Sequence, residues 1–172
     1  MSAAISSRPA PDGFAELRCW SVWGTDDLSR FRESMLSALR SLTAEPAGTA
    51  AAGTGSAGTG AALQRDPRAD PPAETAQDIV LVSSELAANA LCHGGTPALV
   101  RLRSDGRSYL VEVIDGAPAA APHVAGQRPA GRGGFGLRVA DRLAREVGWF
   151  STETAKHVWA LFPAPRPLAA AG

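Results

Sequence analysis

The chain has 172 residues, of which 45% are hydrophobic and 20% charged, and its 17 basic and 17 acidic side chains give a formal net charge of zero. This length and composition suit one globular domain with a sizeable core. The balanced charge gives no sign of the clustered basic surface that direct nucleic-acid binding needs. No apolar run approaches the roughly 18 residues of a membrane-spanning helix, and no segment pairs a basic face with an apolar one, as a membrane-surface helix does.

The N-terminal segment lacks the apolar region of a secretory signal, and we predict that residues 1–13 are disordered. Residues 164–172 are predicted to form a frayed tail. Cys19 and Cys92 lie far apart, without the spacing of a CxxC motif or a metal site. This usage favours two reduced thiols in a cytoplasmic protein.

Much of the glycine and proline content lies in residues 43–73, which contain no aromatic residue and one large aliphatic residue, Leu63. Such a segment cannot bury enough apolar area to offset its ordering entropy. We therefore predict a disordered insertion in a single domain that spans residues 14–163. The alternative, a glycine loop that clamps a nucleotide, lacks the strand and helix signals that would flank it.

The predicted elements run strand, helix, helix, strand, strand, loop, helix, strand, strand. The first helix carries an apolar stripe at spacings of three and four, which suits either the core or a dimer face. The order predicts an α+β fold, a two-layer sandwich in which a mixed, mostly antiparallel sheet has its helices on one face. The predicted strands cover residues 16–23, 98–103, 109–115, 147–151 and 156–162, and the later helices cover residues 73–92 and 137–146.

Glu85 and Asn89 lie one turn apart on the second predicted helix, so both side chains project from the same face. A carboxylate and an amide are hard oxygen ligands of the kind that suits Mg²⁺. The carboxylate is equally suited to accept a proton from an attacking hydroxyl. A solvated helix face is the structural alternative.

Asp115 ends a strand in which Tyr109, Val111 and Val113 point to the same side, so its carboxylate is predicted to lie on an apolar face. A buried carboxylate needs a hydrogen-bond donor, and the exocyclic amine of adenine is a suitable one. Gly116 leaves room for a ring to approach. A turn-forming Asp-Gly pair at a strand end explains the same residues without a ligand.

Residues 131–136 read GRGGFG and precede a predicted helix. The spacing matches the glycine pattern of dinucleotide-binding folds, but no strand precedes it and too little chain follows for that fold. Free backbone N–H groups at a glycine-rich helix start can cradle phosphate. Arg132 and Arg138 would add positive charge to such a cradle. The alternative interpretation is a flexible loop that binds no ligand.

Taken in order, these motifs resemble those of the histidine kinase-like ATPase domain of the gyrase, heat-shock chaperone and histidine kinase superfamily. The N-box corresponds to Glu85–His93, the aspartate-bearing box to Asp115–Gly116, and the second glycine box to Gly133–Leu137. More narrowly, the chain is similar to stand-alone actinobacterial anti-sigma-factor serine/threonine kinases. The resemblance implies the Bergerat-type ATP-binding fold.

The resemblance also implies a role for each matching residue. Glu85 would be the catalytic base and Asn89 the ligand of Mg²⁺ on ATP. Asp115, with Gly116 beside it, would bind the adenine amine and so favour ATP over GTP. Residues 117–132 would form a lid over the nucleotide. Gly134, Gly136 and Leu137 complete the predicted cofactor-binding residues.

The resemblance implies a kinase that phosphorylates a small antagonist protein and so regulates a sigma factor. A homodimer is compatible with the apolar stripe of the first helix. Two alternatives stay open: a non-catalytic nucleotide-binding module that sequesters a sigma factor or another partner, and a degenerate relative that binds no nucleotide. The chain departs from the family pattern where Ala117-Pro118 replaces a further glycine. A second departure is Ala155-Lys156-His157, where relatives carry Gly-Lys-Thr.

Overall fold

The computed structural model describes residues 5–43, 72–119, 121–122 and 136–164. These residues form six strands and three α-helices, with a short 3-10 turn at Thr25–Asp27 before the first helix. The helices are α1 (Leu28–Thr43), α2 (Pro72–His93) and α3 (Gly136–Leu143). The strands are β1 (Ser6–Ser7), β2 (Ala15–Val22), β3 (Ala98–Ser104), β4 (Ser108–Asp115), β5 (Glu146–Ser151) and β6 (Lys156–Pro163).

The six strands form one sheet in the order β1-β5-β6-β4-β3-β2. Only the β1–β5 pair is parallel, and every other neighbouring pair is antiparallel. The predicted α+β class and the mostly antiparallel sheet are therefore confirmed. In the two middle strands, the last residue of β4 and the first residue of β6 belong to the candidate site.

The main core lies between the helices and one face of the sheet. Successive residues of a strand point to opposite faces, so one parity of β4 faces the helices. On that parity Tyr109, Val111 and Val113 are buried, and they pack in one cluster with Ile79 and Val82 of α2. Burial also raises the pKa of the Tyr109 phenol above its ordinary value.

The N-terminal segment is more ordered than the sequence predicts. Within residues 1–13, predicted to be disordered, Ser6–Ser7 form a strand at the sheet edge. The Arg8 N–H donates to the Trp149 carbonyl at 2.8 Å, and the Trp159 indole N–H donates to the Arg8 carbonyl at 3.0 Å. The prediction was wrong here because backbone hydrogen bonds, which leave no apolar pattern in the sequence, hold the segment against the sheet.

The predicted insertion at residues 43–73 lies largely outside the described residues, as do the first four residues and residues 165–172. Helix α1 runs to Thr43 and α2 begins at Pro72, so the helices extend slightly into the predicted limits. In the part of the chain that the structure describes, none of the helices has the length and apolar character needed to cross a membrane.

Candidate functional site

Helix α2 carries Glu85 and Asn89 on the side that faces the start of α3. The adjacent apolar side of α2 is anchored in the core, as predicted, by Ile79, Val82, Leu86 and Ala90, none of them more than 4% exposed. Glu85 and Asn89 are both partly exposed. Anchoring the apolar side in the core fixes the direction in which the side next to it presents the carboxylate and the amide.

Gly136, the first residue of α3, lies directly against both of these side chains. A Cβ atom added to Gly136 would lie 2.7 Å from the Asn89 Nδ2 and 2.9 Å from the Glu85 Cβ. Leu137 and Ala140 are buried in the core and so hold the start of α3 against α2. The structure therefore brings the N-box and the end of the second glycine box together, as the motifs predict. Residues 131–135, including Gly134, and most of the predicted lid lie outside the described residues.

Asp115 ends β4 on the helix-facing side, and its burial agrees with the parity argument. Its surroundings differ from the sequence interpretation, which named only the adenine amine as a donor for this carboxylate. The Asp115 Oδ2 lies 3.0 Å from the Lys156 Nζ, and the two side chains are 2% and 6% exposed. Asp115 and Lys156 are cross-strand partners in the β4–β6 pair, so the fold supplies the cation. The Asp115 Oδ1 accepts the Ala117 N–H at 2.9 Å.

Gly94, which the sequence motifs did not assign to the site, joins the end of α2 to Asp115. A Cβ atom at Gly94 would lie 2.2 Å from the Asp115 Cγ, so only glycine allows this approach. The Gly94 N–H donates to the Ala90 carbonyl at 2.7 Å, and the Gly116 N–H donates to the Gly94 carbonyl at 3.1 Å. These two bonds fix the distance between the N-box helix and the aspartate strand.

The described residues offer a metal ion little beyond Asn89 and Glu85. Among them, no group of three or more His, Cys, Asp or Glu side chains is arranged to hold a metal. That donor set fits Mg²⁺ carried by phosphate groups, since this ion keeps several non-protein ligands and takes only one or two from the protein. It does not fit a metal held by protein groups alone.

The opposite face of the sheet carries a second polar cluster that the sequence did not single out. Glu112 of β4 and His157 of β6 are diagonal neighbours across the two strands, with 2.9 Å between the Glu112 Oε1 and the His157 Nδ1. The His157 ring stacks on Phe150 at a centroid distance of 4.4 Å. Because these residues alternate with Asp115 and Lys156 along their strands, they lie on the other side of the sheet from the candidate site.

The comparisons with known proteins agree with this arrangement. A family model described as the histidine kinase-like ATPase domain matches residues 57–162, a range that contains Glu85, Asn89, Asp115 and Gly136. No curated protein matches the chain significantly. The matched range covers more than half of the chain and every element from α2 to the end of the core strands, and the family implies a site for ATP. The chain belongs to the histidine kinase-like ATPase domain family.

Proposed function

We propose that the protein binds ATP with Mg²⁺ between α2, the end of β4 and the start of α3, and transfers phosphate to a serine or threonine of a small protein partner. The observation that carries the proposal is the contact of Gly136 with both Glu85 and Asn89. It places a carboxylate and an amide at the N-terminus of a helix, where backbone N–H groups and the helix dipole favour phosphate. The buried Asp115, reached through Gly94, lies beyond the other end of this helix face.

Each residue of the site has a distinct task in this proposal. The Asn89 side-chain oxygen would hold Mg²⁺ on the phosphates, and Gly136, with the preceding Gly134, would let the phosphate chain approach the backbone. Asp115 and Gly116 would lie against the adenine base. Bound Mg·ATP supplies the phosphoryl group and neutralises part of its charge, so the protein's contribution is mainly positioning and electrostatic stabilisation.

Glu85 would act on the attacking group. Its carboxylate lies one turn before Asn89 on the same helix face and is partly exposed, so a partner's hydroxyl can reach it. The carboxylate would accept the hydroxyl proton while the hydroxyl oxygen forms its bond to phosphorus and ADP leaves. Loss of such a base typically costs about 10²–10⁴-fold in rate.

The identity of the partner rests on the resemblance to anti-sigma-factor kinases, which points to a small antagonist protein and to a sigma factor controlled by it. A cytoplasmic location follows from that role.

Transfer of label from γ-phosphate-labelled ATP tests the proposal. The purified chain is incubated with Mg²⁺, labelled ATP and candidate small acceptor proteins, with Glu85→Gln as the inactive variant. We expect label on a serine or threonine of one acceptor, and none with Glu85→Gln. ATP binding without transfer to any acceptor would favour the non-catalytic module that sequesters its partner. Absence of ATP binding would contradict the proposal altogether.

A further inference from the structure

The carboxylate assigned to the adenine amine already has a partner on each oxygen. The Asp115 Oδ1 accepts the Ala117 N–H at 2.9 Å, and the Oδ2 lies 3.0 Å from the Lys156 Nζ. Gly94 covers a further side of the carboxylate so closely that no Cβ atom fits between them. The side chain is only 2% exposed as a result. An incoming base therefore meets a carboxylate in which each oxygen already has one partner.

The ammonium group is a strong competitor for this carboxylate. The ammonium carries a full positive charge and is attracted to the carboxylate by charge as well as by hydrogen bonding, whereas the amine of adenine is neutral. The Lys156 side chain is itself only 6% exposed, so the ammonium can leave the carboxylate only if this buried side chain rearranges. The base must share the carboxylate with the ammonium or displace it.

The pair also changes what the site offers to guanine. A lone carboxylate repels the carbonyl oxygen that guanine carries where adenine has its amine, because both groups are acceptors. An ammonium next to the carboxylate adds a donor to which that carbonyl can bind. Lys156 therefore weakens both the favourable contact of the carboxylate with adenine and its repulsion of guanine.

We propose that Lys156 is a specificity-determining residue of the nucleotide site, which holds Asp115 in place of the purine amine and so weakens discrimination between ATP and GTP. The inference rests on the proposed nucleotide site, and it replaces the selectivity for ATP that Asp115 alone predicts. A purely structural ion pair would stabilise the fold but leave the ratio of ATP to GTP affinity unchanged. That ratio is therefore the measurement that separates the two roles.

The test compares calorimetric affinities of the full chain for Mg·ATP and Mg·GTP. In the wild type we expect the two affinities to differ by less than about tenfold. Lys156→Thr frees the carboxylate, and we expect it to tighten ATP binding and widen the ratio by at least about tenfold, the value of one hydrogen bond to a charged group. Arg101→Thr is the matched control, because it removes one positive charge from β3 on the face of the sheet opposite to Lys156, where Arg101 pairs with Glu16.

A second measurement needs no variant and decides the matter if Lys156→Thr fails to fold. Purine riboside triphosphate has no exocyclic amine but is otherwise close to ATP. If Lys156 occupies the acceptor, wild-type protein binds the two nucleotides within about tenfold of each other. A preference for ATP of about a hundredfold or more would overturn the inference, as would an unchanged ATP to GTP ratio in folded Lys156→Thr. If the wild type binds none of these nucleotides, the proposed function fails, and this inference fails with it.

Discussion

Gly136 approaches Asn89 so closely that a Cβ atom on the glycine would lie 2.7 Å from the amide nitrogen of the asparagine. The approach joins the first residue of α3 to the face of α2 that carries the candidate ligands. It also makes the position selective for glycine, because a methyl group would push the Asn89 amide and the Glu85 Cβ from their places. The site thus depends on the lack of a side chain at Gly136 as well as on the side chains of Asn89 and Glu85.

We expect Gly136→Ala to weaken Mg·ATP binding by about tenfold or more, since the displaced amide is the proposed ligand of the metal. Its effect on stability should be small, because the better helix propensity of alanine, about 1 kcal/mol, offsets part of an overpacking cost of about 1–3 kcal/mol. Calorimetric titration together with urea unfolding measures both. Gly24→Ala is the control, because nothing lies within 4 Å of its added Cβ atom and its φ of −163° is ordinary extended backbone. Equal ATP affinity in the two variants would count against the site.

Glu85→Gln should separate binding from chemistry. The amide keeps the size of the carboxylate but cannot accept the hydroxyl proton, so we expect phosphoryl transfer to fall by about 10²–10⁴-fold with ATP affinity retained. The matched control is Glu33→Gln, the same change at an exposed position of α1. Initial rates of label transfer and calorimetric affinities give the two readouts. Parallel losses of binding and transfer in Glu85→Gln would make Glu85 a structural residue.

Gly94→Ala should destabilise the fold rather than only the site. The new Cβ atom would lie 2.2 Å from the Asp115 Cγ, and the Asp115 carboxylate is held by Lys156 and cannot move freely. Overpacking of this kind costs about 1–3 kcal/mol. The free energy of unfolding in urea measures the effect, with Gly24→Ala again as the control. A midpoint equal to that of the wild type would show that the α2–β4 junction is looser than the structure indicates.

The fold and the pairing of the motifs could largely be predicted from the sequence. Apolar periodicity placed the helices and strands within a few residues, and the burial of Asp115 followed from strand alternation. The last predicted helix, residues 137–146, was too long, because α3 ends at Leu143 and β5 begins at Glu146. Residues at such a junction carry no periodic signal, so the boundary depends on tertiary packing.

The ion pair of Asp115 with Lys156 could not be predicted, because the two residues are 41 positions apart and meet only through the β4–β6 register. Strand order and register depend on the whole sheet rather than on local sequence. The comparison with the family pattern gave no signal either, because Ala155 and His157 depart from Gly-Lys-Thr whereas Lys156 matches its lysine. The contact of Gly94 with Asp115 could not be predicted either, since a glycine at a helix end is ordinarily explained as a helix stop.

Calorimetry of Asn89→Ala tests most directly whether the N-box face of α2 binds Mg·ATP. The control is Gln77→Ala, which removes an exposed amide from the same helix about 18 Å away along its axis. We predict that wild-type protein and Gln77→Ala bind Mg·ATP equally well, and that chelation of Mg²⁺ weakens both. Asn89→Ala should bind about tenfold or more weakly and lose most of this dependence on Mg²⁺. Affinity and metal dependence equal to those of Gln77→Ala would contradict binding at this face.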